Sequence, residues 1–166
     1  MSASSSMGKS ADSKFVMDAA KGGMMEVEMG KMAAEKASNA DVKQFGQRMV
    51  DDHTRANDEL KQVASSKNIT LPTEVDAAHK AKMDKMSKMS GGAFDKAYVA
   101  DMVKDHKKDV TDFKKEANGG KDPDVKSFAS KTLPTLEDHL KMVQELNAKM
   151  AGKTSKSKMT SKASSR

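Results

Sequence analysis

Apolar residues recur along this chain at intervals of three and four, with polar residues filling the positions between. That period belongs to helices with one buried face. Phe15, Ala19, Gly22, Glu26, Gly30, Ala33 and Ala37 step by 4, 3, 4, 4, 3 and 4, which places them on one face of a helix over about 12–37. The small residues on this face let a neighbouring helix approach closely. Gly22 and Gly23 each weaken the helix by roughly 1 kcal/mol against Ala, so packing must hold it. After a short connection, in which Ser38 or Asn39 can cap, a second stripe of Val42, Phe45, Met49, His53, Ala56, Leu60 and Val63 predicts a helix over about 40–67. So short a connection makes the two an antiparallel hairpin.

Residues 68–72 break the pattern. Thr73 is expected to cap a shorter crossover helix over about 74–89, carrying Val75, Met83, Met86 and Met89 and ended by Gly91-Gly92. A third long helix over about 93–118 carries Phe94, Tyr98, Met102, His106, Val110 and Phe113, and Gly119-Gly120 stops it. Asp122 caps the last helix, with Pro123 in its first position, where a missing N–H costs little. Its stripe runs from Val125 and Phe128 through Leu133, Leu136 and His139 to Leu146, and it ends near Met150. Pro134 lies inside this helix and is expected to kink or divide it. Asp41-Val42-Lys43-Gln44-Phe45 matches Asp124-Val125-Lys126-Ser127-Phe128, so the second and fourth long helices read as copies. Two antiparallel hairpins joined by a crossover with a short extra helix make an all-α, ferritin-like four-helix bundle.

The candidate chemistry sits on the apolar stripes. Met49-Val50-Asp51-Asp52-His53 recurs as Met102-Val103-Lys104-Asp105-His106, and a third Asp-His stands at Asp138-His139. Glu26 occupies the centre of the first stripe between Gly22 and Gly30. A buried charge is costly unless it is paired or ligates a metal. All four residues fall near mid-helix, and at about 1.5 Å per residue they reach comparable heights in the bundle. Glu26, His53, His106 and His139 are therefore the expected ligands of one divalent metal ion in the bundle core. Neutral imidazole and carboxylate suit Zn²⁺, Fe²⁺, Mn²⁺ or Cu²⁺. A di-iron carboxylate centre needs Glu-x-x-His on two helices, but Val50 and Leu136 stand three residues before His53 and His139. A mononuclear site is thus expected. Asp52 and Asp105, at the edge of the stripes, can pair with lysines or accept a proton from a histidine on a neighbouring helix. His79 reads as exposed. Met83, Met86 and Met89 have a spacing that can bind Cu(I), but read more simply as a stripe covering the bundle.

Composition narrows the alternatives. The 166 residues suffice for one domain, and 36% apolar residues with a mean hydropathy of −0.74 imply a narrow core. No cysteine is present, which excludes disulfides and thiolate sites. No Gly-x-Ser-x-Gly or phosphate-cradling glycine loop occurs, so no catalytic residues are assigned. No apolar run is long enough to span a membrane. Residues 1–13 are Ser-rich, lack a signal-peptide apolar region and are expected to be disordered. Net charge is +6, and residues 151–166 form a Lys/Ser-rich segment that is expected to be a disordered tail. Such a tail can make weak contact with an anionic surface or nucleic acid. The folded domain is then 14–150.

Four stretches are distinctive together: Gly23-Met24-Met25-Glu26-Val27-Glu28-Met29-Gly30, Arg48-Met49-Val50-Asp51-Asp52-His53, Phe94-Asp95-Lys96-Ala97-Tyr98 with His106, and Leu133-Pro134-Thr135-Leu136-Glu137-Asp138-His139. On these the chain resembles the bacterial domain-of-unknown-function family numbered 4142. The resemblance implies a four-helix bundle and a periplasmic or exported location, and it implies no activity; the absence of a leader in the chain leaves a cytoplasmic location as the alternative. Two functions stand side by side. One is metal binding, with a role in metal handling or stress response. The other is a non-catalytic interaction or protective protein, whose histidines, Glu26 and aspartates form a structural hydrogen-bond network.

Overall fold

The computed structural model describes the backbone of residues 11–163 and the side chains of residues 11–152. Its elements are α1 (Ala11–Lys36), α2 (Ala40–Ser66), α3 (Ala77–Ser87), α4 (Gly91–Gly119) and α5 (Pro123–Ala163). Residues 1–10 and 164–166 lie outside the description, as do the side chains of the basic segment from 153 on. Residues 11–13, expected to be disordered, form the first turn of α1. The segment expected to be a disordered tail from 151 continues the backbone of α5 to Ala163.

The helix boundaries follow local chemistry. Asn39 caps α2 by accepting from the Asp41 amide at 2.8 Å, and Asp122 caps α5 by accepting from the Asp124 and Val125 amides at 2.9 and 3.1 Å. α3 starts later than expected because Asp76, not Thr73, is its cap, accepting from the His79 amide at 3.0 Å. Gly91-Gly92 does not end α3 but opens α4. Gly91 has a φ of +58°, where side chains are strained, and this turns the chain into the new helix. Pro134 does not divide α5, which runs through it as one helix. The carbonyl it leaves without a donor is that of Ser130, and both residues are exposed, so water can satisfy it.

α1 packs on α2 and α4 on α5; α2 meets α5 and α1 meets α4, with α3 laid across α1 and α4. This is a ferritin-like four-helix bundle. Two buried aspartates lock the hairpins end to end. Asp95, near the start of α4, accepts from the Ser38 and Asn39 amides at 3.0 and 2.9 Å and from the Ser38 hydroxyl at 2.6 Å. Asp12, at the start of α1, accepts from the Lys121 and Asp122 amides at 2.9 and 2.6 Å. Each hairpin thus grips the other's loop. The reciprocity follows an internal repeat. Asp12 and Asp95, Val16 and Val99, Glu26 and Asp109, Asn39 and Asp122, and Phe45 and Phe128 are all 83 positions apart.

The core has two apolar ends. Met29, Met49, Phe94, Tyr98, Met102 and Val143 belong to one, and Val16, Leu60, Phe113, Val125, Phe128 and Leu136 to the other. Met86 is buried against the first, with Met83 and Met89 half-buried beside it, so the methionine stripe of α3 is packing. α1 and α2 approach almost backbone to backbone. A Cβ on Gly46 would lie 2.7 Å from the Gly30 carbonyl oxygen and 2.7 Å from the Ala33 Cβ.

A paired substitution tests this contact. Gly46→Ala is expected to lower stability by about 2–3 kcal/mol despite alanine's better helix propensity, because rigid backbone must move. Gly22→Ala, where a Cβ meets nothing within 4 Å, is expected to raise it by about 0.5–1 kcal/mol. Urea denaturation of both variants decides; equal effects would mean that the helices are free to adjust.

Candidate metal centre

Each long helix brings one polar side chain to the level between the two apolar ends: Glu26 from α1, His53 from α2, His106 from α4 and His139 from α5. All four are buried, at 2%, 6%, 0% and 0% exposure. The ring centroids of His53 and His106 are 5.8 Å apart, and His139 lies 5.4 Å from each. One ligand nitrogen from each ring falls within 4.8 Å of the others. Phe45 closes the layer on one side, its ring 6.5 Å from His106 and 6.3 Å from His139.

Every ring is held by one nitrogen. His53 Nδ1 lies 3.1 Å from Glu26 Oε2, His106 Nδ1 lies 3.0 Å from the Met102 carbonyl, and His139 Nε2 lies 2.8 Å from Asp52 Oδ2. The carbonyl can only accept, so His106 carries its proton on Nδ1 and presents a lone pair at Nε2. Burial pushes Asp52 upward, but its bonds with His139 and Arg48 outweigh that and leave it below the usual carboxylate range. It is therefore ionised, and His139 presents its lone pair at Nδ1. The other nitrogens, His53 Nε2, His106 Nε2 and His139 Nδ1, are buried and have no hydrogen-bond partner. Burial is also the main reason why all three imidazoles are held neutral, with His53 well below its ordinary value and His106 lowered to about 4. For His139 burial outweighs the opposing pull of Asp52. Neutral imidazoles with oriented lone pairs are the form that binds a metal.

Glu26 is tied to His53 by one oxygen; the other, Oε1, is buried without a partner, 3.7 Å from His106 Nε2. Burial and then the neighbouring Asp109 raise its pKa well above the carboxylate range. Asp52 takes the role expected for an edge aspartate, on a histidine of another helix. Asp105 takes the other expected role, bonding Lys82 of α3 at 2.8 Å. Asp109 and the hydroxyl of Tyr98, which reads in the sequence only as part of an apolar stripe, stand outside the expected ligand set. Asp109 is pushed up to about 6 by burial, and Tyr98 carries a buried, unpartnered hydroxyl. The 83-residue repeat was the available signal for Asp109, since it pairs that residue with Glu26 and Tyr98 with Phe15. His79 sits apart on α3, 2.7 Å from Asp76.

A cavity of about 390 Å³ opens between α1 and α4 and reaches Glu26, His53 and Asp109. Phe15, Ala19 and Gly22 line it. They are half-buried, and the residues one position on, Val16, Ala20 and Gly23, take the buried face. Over its first turns the buried face of α1 is thus displaced by one residue from the expected stripe, whose leading part walls the cavity, while from Glu26 through Gly30, Ala33 and Ala37 the expected positions are the buried ones.

The sequence model of the domain of unknown function DUF4142 matches residues 1–146, and the chain belongs to this family. Two solved structures share the fold. A DUF305 fragment from Deinococcus radiodurans has a TM-score of 0.73 at 10% identity, covering 83% of this chain and 95% of its own. A DUF305 protein from Streptomyces coelicolor, put forward as secreted, has a TM-score of 0.72 at 15% identity, covering 86% and 93%. A comparison with curated proteins gives no match.

The buried rings have a pH signature. The unfolded chain protonates its imidazoles near the ordinary value of about 6.5, whereas folded His106 does so only near 4. The stabilising contribution of a neutral His106 is complete above about 6.5 and is lost as pH falls through that window. In a histidine NMR titration of metal-free protein, His106 should remain neutral at pH 5.5. A midpoint near 6.5 would place the ring in water.

Proposed function

We propose that this DUF4142 domain binds one divalent transition-metal ion in its bundle core through His53, His106 and His139, with Glu26 as the carboxylate of the set. The observation that carries this reading is a trio of buried rings, each with one nitrogen that has no partner, set so close that one nitrogen from each lies within 4.8 Å of the others. Tetrahedral zinc, with Zn–N bonds of about 2.0–2.1 Å, needs ligand nitrogens about 3.3 Å apart, so the three rings must draw in modestly. Asp52, Glu26 and the Met102 carbonyl supply the outer hydrogen bonds that usually orient such histidines. Zn²⁺, Fe²⁺, Mn²⁺ and Cu²⁺ all suit the donors. A role in metal handling or stress response follows from the binding itself, and no reaction is required. An exported or periplasmic location is in keeping with the Streptomyces relative put forward as secreted. No described helix is long and apolar enough to cross a membrane.

The rival is a purely structural hydrogen-bond network, in a helical interaction or protective protein. His53–Glu26 and His139–Asp52 favour it as far as they go. It leaves three buried acceptors unsatisfied, each at a cost of roughly 1–3 kcal/mol. A cation satisfies all three at once.

Elemental analysis of untagged native protein is expected to show close to one metal per chain. In thermal denaturation, the preferred ion at a hundredfold excess over its Kd should raise Tm by roughly 5–10 °C. His106→Ala should abolish both effects, while Lys85→Ala on exposed α3 should change neither. Metal below ~0.2 per chain, with no shift for any of the four ions, would leave the structural network as the correct reading.

A further inference from the structure

The internal repeat explains why the cavity lies where it does. In the 83-residue register, His106 corresponds to Gly23 and His139 to Ala56. The two halves of the bundle therefore differ at mid-height. One side is filled by imidazoles, and the other carries two small residues and is hollow. A Cβ at Gly23 would lie 2.0 Å from Asn57 Oδ1, so any side chain there must displace the end of Asn57. The hollow reaches His53 and Glu26, so it opens onto the proposed ion from one side.

We propose that this cavity is a binding site for a small, uncharged aromatic alcohol of the phenol class, whose hydroxyl oxygen approaches the metal. The hydroxyl contact rests on the metal reading above; the cavity itself does not. Its volume of about 390 Å³ lies within the range of about 300–1,000 Å³ typical of small-molecule sites. The walls are aromatic and aliphatic. Phe15 meets Phe113 edge to face at 4.8 Å, Phe128 lies 5.9 Å from Phe113, and Leu60 and Leu136 complete them. A flat ring packs well against such a surface.

The deep end selects the head group. Glu26 Oε1 is buried without a partner, and half-buried Asp109 stands beside it. In this apolar setting burial disfavours a charge on either carboxyl, so a fitting head group is neutral and can both donate and accept, as a hydroxyl does, whereas a carboxylate would bring an unmatched charge. An ammonium would also donate, but would face the charge of the ion. Further out, Glu116 presents another unpartnered acceptor oxygen. At the mouth, Lys14 pairs with Asp18 and Lys108 with Asp112, so the rim offers no net positive charge to an anion. In the loaded site, where Glu26 holds the ion, the neutral hydroxyl can donate to Asp109 and offer its oxygen to an open coordination position, which metals of this kind fill by expanding to five ligands.

Gly22→Leu is the blocking variant. A Cβ at Gly22 meets nothing within 4 Å, and a leucine there extends into the cavity. Two measurements use phenol as the probe, with benzoate and benzylamine for comparison. In metal-free protein, phenol at ten times its Kd should raise the wild-type Tm by roughly 3–6 °C and leave the Gly22→Leu variant unmoved. In Co²⁺-loaded protein, phenol should shift the visible bands of the wild type only, while both proteins load Co²⁺ equally. Failure of the wild type to take up Co²⁺ counts against the metal reading and leaves the thermal shift to judge the cavity. Absence of any phenol effect on a Co²⁺-loaded protein, an equal effect in the blocked variant, or stronger binding of benzoate or benzylamine would each overturn the proposal.

Discussion

Two backbones that nearly touch set the geometry of this bundle. Gly30 of α1 lies against Gly46 of α2, with no room for a methyl group on either. Glu26 stands one turn before Gly30, and His53 two turns after Gly46. Helices are stiff rods over such distances, so the spacing fixed at the glycines is carried to the acid and the imidazole. The 3.1 Å contact between them is a consequence of that approach. Were the helices held apart by ordinary side chains, Glu26 would be a buried carboxyl without a partner, which is among the costlier defects a core can contain.

The four polar groups also settle which protonation states the core tolerates. They lie between two apolar ends, and Phe45 closes one side. Burial lowers the affinity of the imidazoles for protons and raises that of Glu26 and Asp109, so an apolar setting pushes every group toward neutrality. Two rings are then oriented by groups that can only accept, the Met102 carbonyl on His106 and the ionised Asp52 on His139, while His53 shares a proton with an oxygen of Glu26. Acceptors consume the ring N–H and leave a lone pair on the other nitrogen. Neutral rings with such lone pairs cannot satisfy one another. A positive ion also favours ionised Glu26, reversing the effect of burial on that carboxyl.

Much of this was legible in the chain. The periodic stripes placed four long helices within a few residues, except for the end of α5, which runs on to Ala163, and the capping side chains of Asn39 and Asp122 marked two starts. Gly91-Gly92 misled, because paired glycines signal a stop and an opening turn alike and only the φ of Gly91 decides between them. Thr73 lost to Asp76 because two good caps three residues apart give the same local signal. The histidines could be read because each lay on a stripe near mid-helix. Asp109 could not, although it shares the face of His106 and Phe113, because the apolar Val110 beside it fills that turn of the stripe and an aspartate reads as solvated until the helix that faces it is known. Its match to Glu26 lies 83 residues away, beyond any local window. The one-residue displacement at the start of α1 was equally hidden: Phe15 and Val16 are both apolar, and only the cavity tells the wall from the core.

Axial register is the remaining requirement, and the repeat supplies it. Helices packed side by side can slide, and a shift of one residue displaces a side chain by about 1.5 Å. That is enough to break contacts of 2.8 to 3.1 Å at the centre. Asp12 and Asp95 oppose sliding from both ends, because each buried carboxylate holds the loop of the other hairpin through backbone amides. Backbone amides make rigid anchors, since no side-chain rotation can relieve a displacement. The duplicated positions thus supply the symmetric part, two hairpins locked at matching heights. The chemistry sits where duplication fails: His53 corresponds to Leu136, His106 to Gly23 and His139 to Ala56. A symmetric core would either crowd twice as many imidazoles into one layer or have none. By breaking the match at these positions, the chain fits three rings and a void into the same cross-section.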